Sequence, residues 1–247
     1  MRSFNRLYNI VISAVCMGLA QHSFGLGWLA WFCLVPFFIS IKENSNFKKI
    51  CLDSAVWAFI YHLVSLYWLS ENIGVDERYI AFITMLLANL VCTLNIVFVF
   101  IIWYLLNKVS GKQSWYLLPF IWTMVDYLRI FGSISFPWAS IANTQAQDSL
   151  LPMIQFIEIT GMFGVTFWIV SLNVAIFYLY QEKNSVRFID SLAILILPVI
   201  LGILISKNSY NDHEKIDFAI LQPNIEINDK RIISTSNAIK DLLYKSK

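Results

Sequence analysis

The feature that most limits what this chain can fold into is a succession of apolar stretches, each close to the ~20 residues an α-helix needs to cross about 30 Å of hydrocarbon. Such windows fall at about 8–24, 27–41, 51–70, 79–106, 114–131, 152–180 and 188–206 and use up most of the 247 residues. They predict an all-α polytopic membrane bundle of about seven transmembrane helices. Composition agrees: 58% of residues are hydrophobic and 14% charged, against roughly 45–50% and about 25% in soluble proteins. The second window is short, which predicts a tilted, re-entrant or bundle-packed segment; the sixth is long enough to tilt strongly. The first has a rival reading as a secretory signal, because Arg2 and Arg6 precede an apolar run ending Gly18-Leu19-Ala20. A second apolar run begins at Trp28, however, so the first window is read as half of a tight helical hairpin.

Alternate loops should lie on opposite sides of the bilayer, with Lys and Arg kept on the cytoplasmic side. Arg2, Arg6, Lys42, Lys48, Lys49, Lys108, Lys112, Lys183 and Arg187 fall on one side, and the other side's loops before the tail hold mainly Arg78 and Arg129. The expected topology therefore has a cytoplasmic N-terminus and a C-terminal tail across the membrane. The formal net charge is +2 without a polybasic tract, so no nucleic-acid partner is expected. Cys16, Cys33, Cys51 and Cys92 lie in or beside apolar segments without CxxC or Cys/His spacing, and they read as small packing residues. His22, His62 and His213 have no metal-ligand spacing, so neither a metal nor a cofactor is expected.

Residues 1–206 thus form the transmembrane part, and 207–247 differ in character. Lys207 to Lys215 is a polar linker, Ile216 to Gln222 reads as a short buried strand closed by Pro223-Asn224, and Ser234 to Tyr244 reads as an amphipathic helix. A unit of that size buries too little apolar surface to fold unaided. It is expected either to dock on something or to begin an incomplete domain.

The stretch richest in possible chemistry is Asp126 and Arg129 followed by Phe136-Pro137-Trp138 and then Gln145. Asp126 and Arg129 share a helix face, which lets them pair and lowers the cost of an ionised group in hydrocarbon. Two readings stand: a structural ion pair, or a guanidinium directed at a lipid phosphate. Phe136-Pro137-Trp138 reads on composition as an interfacial aromatic anchor with a proline-enforced turn, and Tyr67-Trp68 as a second aromatic pair at the same membrane face. Gly161 and Gly164 open the sixth window at small-residue spacing, which serves close helix packing or leaves a gap for lipid. No Ser-centred elbow, phosphate loop or complete catalytic set is present in the sequence.

Four places together resemble bacterial apolipoprotein N-acyltransferase: Gly27-Trp28 through Trp31 to Pro36, Ser65 to Leu69, the Asp126/Arg129 to Trp138 block with Gln145, and Phe218 to Ile225. The third is the most specific; Asp126 stands where the family more often has Glu. The segment from Ile154 to Gly164 and Asn173 look like the family's next span.

The resemblance implies a bacterial inner-membrane protein whose periplasmic, nitrilase-like α/β domain begins near Phe218. It implies acyl transfer from a phospholipid donor, through a Cys thioester, to the N-terminal diacylglyceryl-cysteine of a lipoprotein, with a Glu as base and a Lys at the oxyanion. The family's Glu, Lys and Cys lie beyond Lys247, so no catalytic residue carries over. Arg231 stands where the family commonly has Trp. Lipid- or substrate-facing candidates are Arg129, Asp126, Phe136, Pro137, Trp138, Gln145, Tyr67 and Trp68. The chain is accordingly expected to be a truncated acyltransferase, inactive alone. The alternatives are a non-catalytic module that binds phospholipid or lipoprotein beside a separate nitrilase-like subunit, or, more weakly, a small transporter.

Overall fold

A computed structural model describes residues 2–43, 46–71, 78–132 and 135–209, together with positions 237, 239, 240 and 244. The expected strand at Ile216 to Gln222 lies outside the described residues; of the expected tail helix, Asn237, Ile239, Lys240 and Tyr244 are helical and exposed. The apolar windows correspond to seven α-helices: α1 (Arg2–Ala20), α2 (Leu34–Lys42), α3 (Phe47–Ser65), α4 (Arg78–Ser110), α5 (Ser114–Leu128), α6 (Ile157–Glu182) and α7 (Ser185–Ser209). Among the described residues there is no strand.

Among the described residues, three stretches are long and apolar enough to cross a membrane: Arg78–Leu128, Ile157–Glu182 and Ser185–Ser206. The first contains α4 and α5, which turn back on each other through Gly111, where φ is +55°. Ring contacts fix their antiparallel register, with Trp103 at 4.5 Å from Trp115 and Phe100 at 6.0 Å from Trp122.

The aromatic residues that dominate the core knit the helices together. Phe37 of α2 stacks on Trp57 of α3 at 5.0 Å and meets Phe100 of α4 edge-on at 5.1 Å. Phe38 and Phe177 bring α2 and α6 against Trp115 of α5, at 5.2 and 4.6 Å. Offset and edge-on pairs of this kind add to the packing that must hold helices together in lipid, where apolar burial alone gives no advantage.

The short second window is not one helix. A 3₁₀ turn (Gly27–Trp31) is followed by a break at Phe32-Cys33 before α2 begins. Non-helical backbone at this depth must find partners within the protein. Asn173 of α6 accepts from the Leu34 amide at 2.9 Å and donates to the Ala30 carbonyl at 2.8 Å. Ser13 of α1 donates to the Cys33 carbonyl at 2.6 Å and accepts from the Trp57 indole at 2.8 Å. A Cβ on Gly27 would lie 2.2 Å from the Thr144 carbonyl, so only glycine lets this turn meet the 141–145 loop.

Two further irregularities shape α6 and α7. Gly161 breaks α6 with φ +65°, a conformation glycine adopts without strain. Pro198 in α7 has no N–H for the Ile194 carbonyl, and the Trp168 indole of α6 donates to that carbonyl at 2.8 Å. Trp168→Phe should therefore orphan a carbonyl in a dry seam and lower stability by about 1–3 kcal/mol. Equilibrium unfolding in bicelles checks this, and an unchanged midpoint would remove the indole from the account.

Of the cations anticipated on one side, Arg6, Lys42 and Lys112 lie at one end of the bundle. Arg6 lies 3.7 Å from Asp53, Lys42 donates to Gln181, and Tyr178 donates to the Lys112 carbonyl at 2.5 Å. At the opposite end His22 packs on Tyr67 at 5.3 Å and Trp68 on Trp138 at 6.4 Å.

Candidate functional site

At that opposite end the chain between α5 and α6 folds back over the bundle as a series of short 3₁₀ turns, Pro137–Ala139, Ile141–Gln145 and Leu151–Ile154. Their short backbone ladders leave polar groups over, and buried side chains take them up. Gln145 is fully buried; it accepts from the Trp31 indole at 2.9 Å and donates to the Gly27 carbonyl at 3.0 Å and the Thr144 hydroxyl at 2.7 Å. Sequence reasoning put Gln145 among the lipid- or substrate-facing residues, whereas here it ties the loop to the turn at 27–31. Gln147 continues the tie, accepting from the Gly27 amide at 3.0 Å and donating to the Ala20 and His22 carbonyls at 3.1 and 2.9 Å.

The charged pair is buried beneath this loop. Arg129 Nη2 lies 2.8 Å from Asp126 Oδ1, and both side chains are only 6% exposed. Asp126 Oδ2 accepts from Ser140 at 2.6 Å and Thr166 at 3.0 Å, so this carboxylate joins α5, the loop and α6. Three partners are what an ionised carboxylate needs to remain in a low-dielectric interior. The guanidinium is less fully used: the contact to Oδ1 is an ion pair without hydrogen-bond alignment, and Nε and Nη2 have no hydrogen-bond acceptor. Arg129 lines a cavity of about 230 Å³ with Asn95, Phe98, Val125 and Phe131.

The aromatic candidates meet at a separate and larger cavity. Trp68, Pro137 and Trp138 line about 830 Å³ together with Gln21, His22, Ser65 and Asn143. The Trp68 and Trp138 rings meet edge-on with their planes at 77°, and Trp138 is 64% exposed. Asn143 donates to the Trp138 carbonyl at 2.8 Å, holding the turn that presents this ring. Gln21 anchors the floor, donating to the Tyr61 hydroxyl at 2.6 Å and the Ser140 carbonyl at 2.8 Å. Phe136 packs inward against Leu66, Cys92 and Ala139, whereas Tyr67 is exposed beside His22.

The structure therefore brings Trp68, Pro137 and Trp138 to one cavity and Asp126 and Arg129 to a neighbouring buried network. Sequence reasoning missed Gln21, Ser140, Thr166 and the fully buried His62, whose two ring nitrogens have no hydrogen-bond partner. The one signal for Gln21, His62 and Thr166 was polarity inside apolar windows, which marks a buried partner in a membrane helix; Ser140 lies between windows and carried no such signal. The seam between α6 and α7 is not closed by Gly164, which lines a further cavity there.

Comparison with known proteins gives this arrangement a context. The profile of the apolipoprotein N-acyltransferase N-terminal domain matches residues 13–175. Apolipoprotein N-acyltransferase of Chlorobaculum tepidum is 28% identical over 210 residues, covering 82% of this chain and 38% of the relative. The enzymes of that name from Thermotoga maritima and Geobacter metallireducens are 27% and 26% identical, over 97% and 68% of this chain and 48% and 32% of theirs. The chain thus spans about half or less of the length of the curated relatives it matches. Matched from its first helix into its sixth, this membrane protein belongs to the apolipoprotein N-acyltransferase family.

Proposed function

We propose that residues 1–206 are the membrane portion of an enzyme that moves an acyl chain from a phospholipid to the N-terminal diacylglyceryl-cysteine of lipoproteins. In this reading the bundle crosses a bacterial inner membrane about seven times with a cytoplasmic N-terminus. Residues 207–247 then lead into a periplasmic nitrilase-like domain that carries out the transfer.

The cavity beside Trp68 and Trp138 is the observation that carries the proposal. Its volume suits the fatty part of a lipid. Its aromatic rim sits at the end of the bundle away from the cations, where indoles rest at headgroup depth. Gln21, His22 and Asn143 contribute polar atoms to its otherwise largely apolar lining, which fits a ligand with an apolar chain and a polar glyceryl end. Arg129 lines the neighbouring cavity and would donate to a phosphate oxygen held there.

No step of bond making is assigned to this segment. Cys33 and Cys92 are buried, Cys16 and Cys51 are half-buried, and the buried carboxylate Asp126 is committed to Arg129, Ser140 and Thr166. Purified 1–247 should accordingly yield no N-acylated lipoprotein by mass spectrometry, yet bind both substrates. A phospholipid with a photoreactive acyl chain should label peptides containing Trp68 and Trp138, and excess diacylglyceryl peptide should suppress that labelling. Labelling that the peptide leaves unchanged, or acyl transfer by the segment alone, overturns the assignment.

A further inference from the structure

The polar atoms that line the Trp68/Trp138 cavity are unevenly used within the chain. Gln21 directs Nε2 at both the Tyr61 hydroxyl, 2.6 Å away, and the Ser140 carbonyl, 2.8 Å away. A carbonyl only accepts, so the orientation of this amide is fixed and its Oε1 is left as an acceptor. The Val64 carbonyl, 2.9 Å from His22 Nε2, likewise places the ring proton on that nitrogen and leaves Nδ1 as the acceptor of the neutral ring. Asn143 donates to the Trp138 carbonyl at 2.8 Å and keeps Oδ1. All three residues line the cavity.

Ser65 adds a hydroxyl to the same lining. It is 6% exposed, and its Oγ has no hydrogen-bond partner within the chain. An unpaired buried hydroxyl is costly, so this one calls for a partner from the cavity it lines. The fixed donors that remain, one N–H of Asn143 and two indole N–H groups, are neutral, and no lysine or arginine is among the described lining residues. The Trp68 and Trp138 rings, meeting with their planes at 77°, add π faces, which attract cations. Three acceptors, an unpaired hydroxyl and two indoles match a primary ammonium and leave the charge of a phosphate uncompensated.

We propose that Gln21, His22, Ser65 and Asn143 hold the N-terminal ammonium of the lipoprotein acceptor and thereby distinguish substrate from product, an inference that rests on the acyl-transfer reading above. An ammonium offers three N–H donors and a charge. The amide left after acylation offers one donor and no charge, so the product loses most of its hold on these residues. The ammonium of phosphatidylethanolamine is joined through two carbons to a phosphate and would carry that anion among neutral groups. The α-ammonium of diacylglyceryl-cysteine brings no such anion, which selects it as the occupant.

The test uses purified 1–247 in detergent micelles and scores suppression of phospholipid photolabelling at the peptides containing Trp68 and Trp138. At about pH 6.5, below the usual α-amino pKa of about 7.7–8.0, diacylglyceryl peptide with a free amino group should compete roughly tenfold better than its N-acetyl form, as expected for lost charge-assisted contacts. An N-trimethyl form, which keeps the charge without N–H donors, should compete several-fold less well than the free amine. Ser65→Ala should reduce the free-amine advantage several-fold and leave N-acetyl competition unchanged; it removes no contact within the chain, so the variant should fold as before. His22→Phe, which keeps a ring beside Tyr67 but lacks Nδ1, should act in the same direction. Equal competition by the free amine and either modified form, or an advantage unmoved by both variants, overturns this inference and leaves the acyl-transfer reading standing. Absence of competition by all three peptides overturns that reading and the inference with it. If phosphatidylethanolamine competition falls with Ser65→Ala as far as peptide competition does, the ammonium held is the lipid's and the assignment to the acceptor fails.

Discussion

Asp126→Ala is expected to destabilise the bundle by about 3–5 kcal/mol, the range for removing one member of a buried ion pair. Three consequences add in the same direction. Arg129 keeps its charge with only 6% of its side chain exposed and no counter-ion, and Ser140 and Thr166 lose their acceptor together. Arg129→Ala should cost less, because the carboxylate it leaves behind retains both hydroxyl donors. Asp126→Glu should be the mildest change, since it preserves charge and asks only for rearrangement within the network. Reversible unfolding in bicelles measures all three, and a double-mutant cycle isolates the pair. Equal losses for Asp126→Ala and Arg129→Ala would show that the two hydroxyls contribute nothing, and the network would reduce to an isolated pair.

That asymmetry marks what the sequence could and could not disclose. Spacing alone placed Asp126 and Arg129 on one helix face, and the apolar windows anticipated where the α-helices lie, three of these stretches being long and apolar enough to cross a membrane among the described residues. The partners of Asp126 were not legible. Ser140 and Thr166 are 14 and 40 residues away, and short hydroxylic residues are too common to announce a contact. Gln145 was misplaced for the same reason: a motif fixes where a residue stands in the chain but not whether its side chain turns toward lipid or into the protein. The interruption at Phe32-Cys33 was visible only as a window too short to span, since the groups that stabilise it come from α1, α6 and the 145–147 loop. The aromatic rim was the most readable part of the site, as Trp68 and Trp138 were both assigned to one membrane face and do meet.

The interruption yields the second large effect. Asn173→Leu keeps the branched shape and the number of side-chain heavy atoms, with bulkier methyls, but removes a side chain that serves both sides of the break. The Leu34 amide loses its acceptor and the Ala30 carbonyl its donor. Each buried backbone group left unpaired costs about 1–3 kcal/mol, so the variant should lose about 2–5 kcal/mol. Asn89→Leu provides the contrast. Asn89 is equally buried; it donates to the Phe59 carbonyl and accepts from the Thr93 hydroxyl, both at 3.1 Å, but the Phe59 carbonyl already accepts within α3, and the Thr93 hydroxyl can turn to the carbonyl four residues back in its own helix. That substitution should cost under half as much. Hydrogen exchange gives an independent reading: Asn173→Leu should speed exchange at Leu34 and Val35 while the interior of α3 stays protected. If Asn89→Leu proves as costly as Asn173→Leu, the penalty reflects loss of any polar side chain from the core, and the break between Trp31 and Leu34 is held by the rest of the backbone without Asn173.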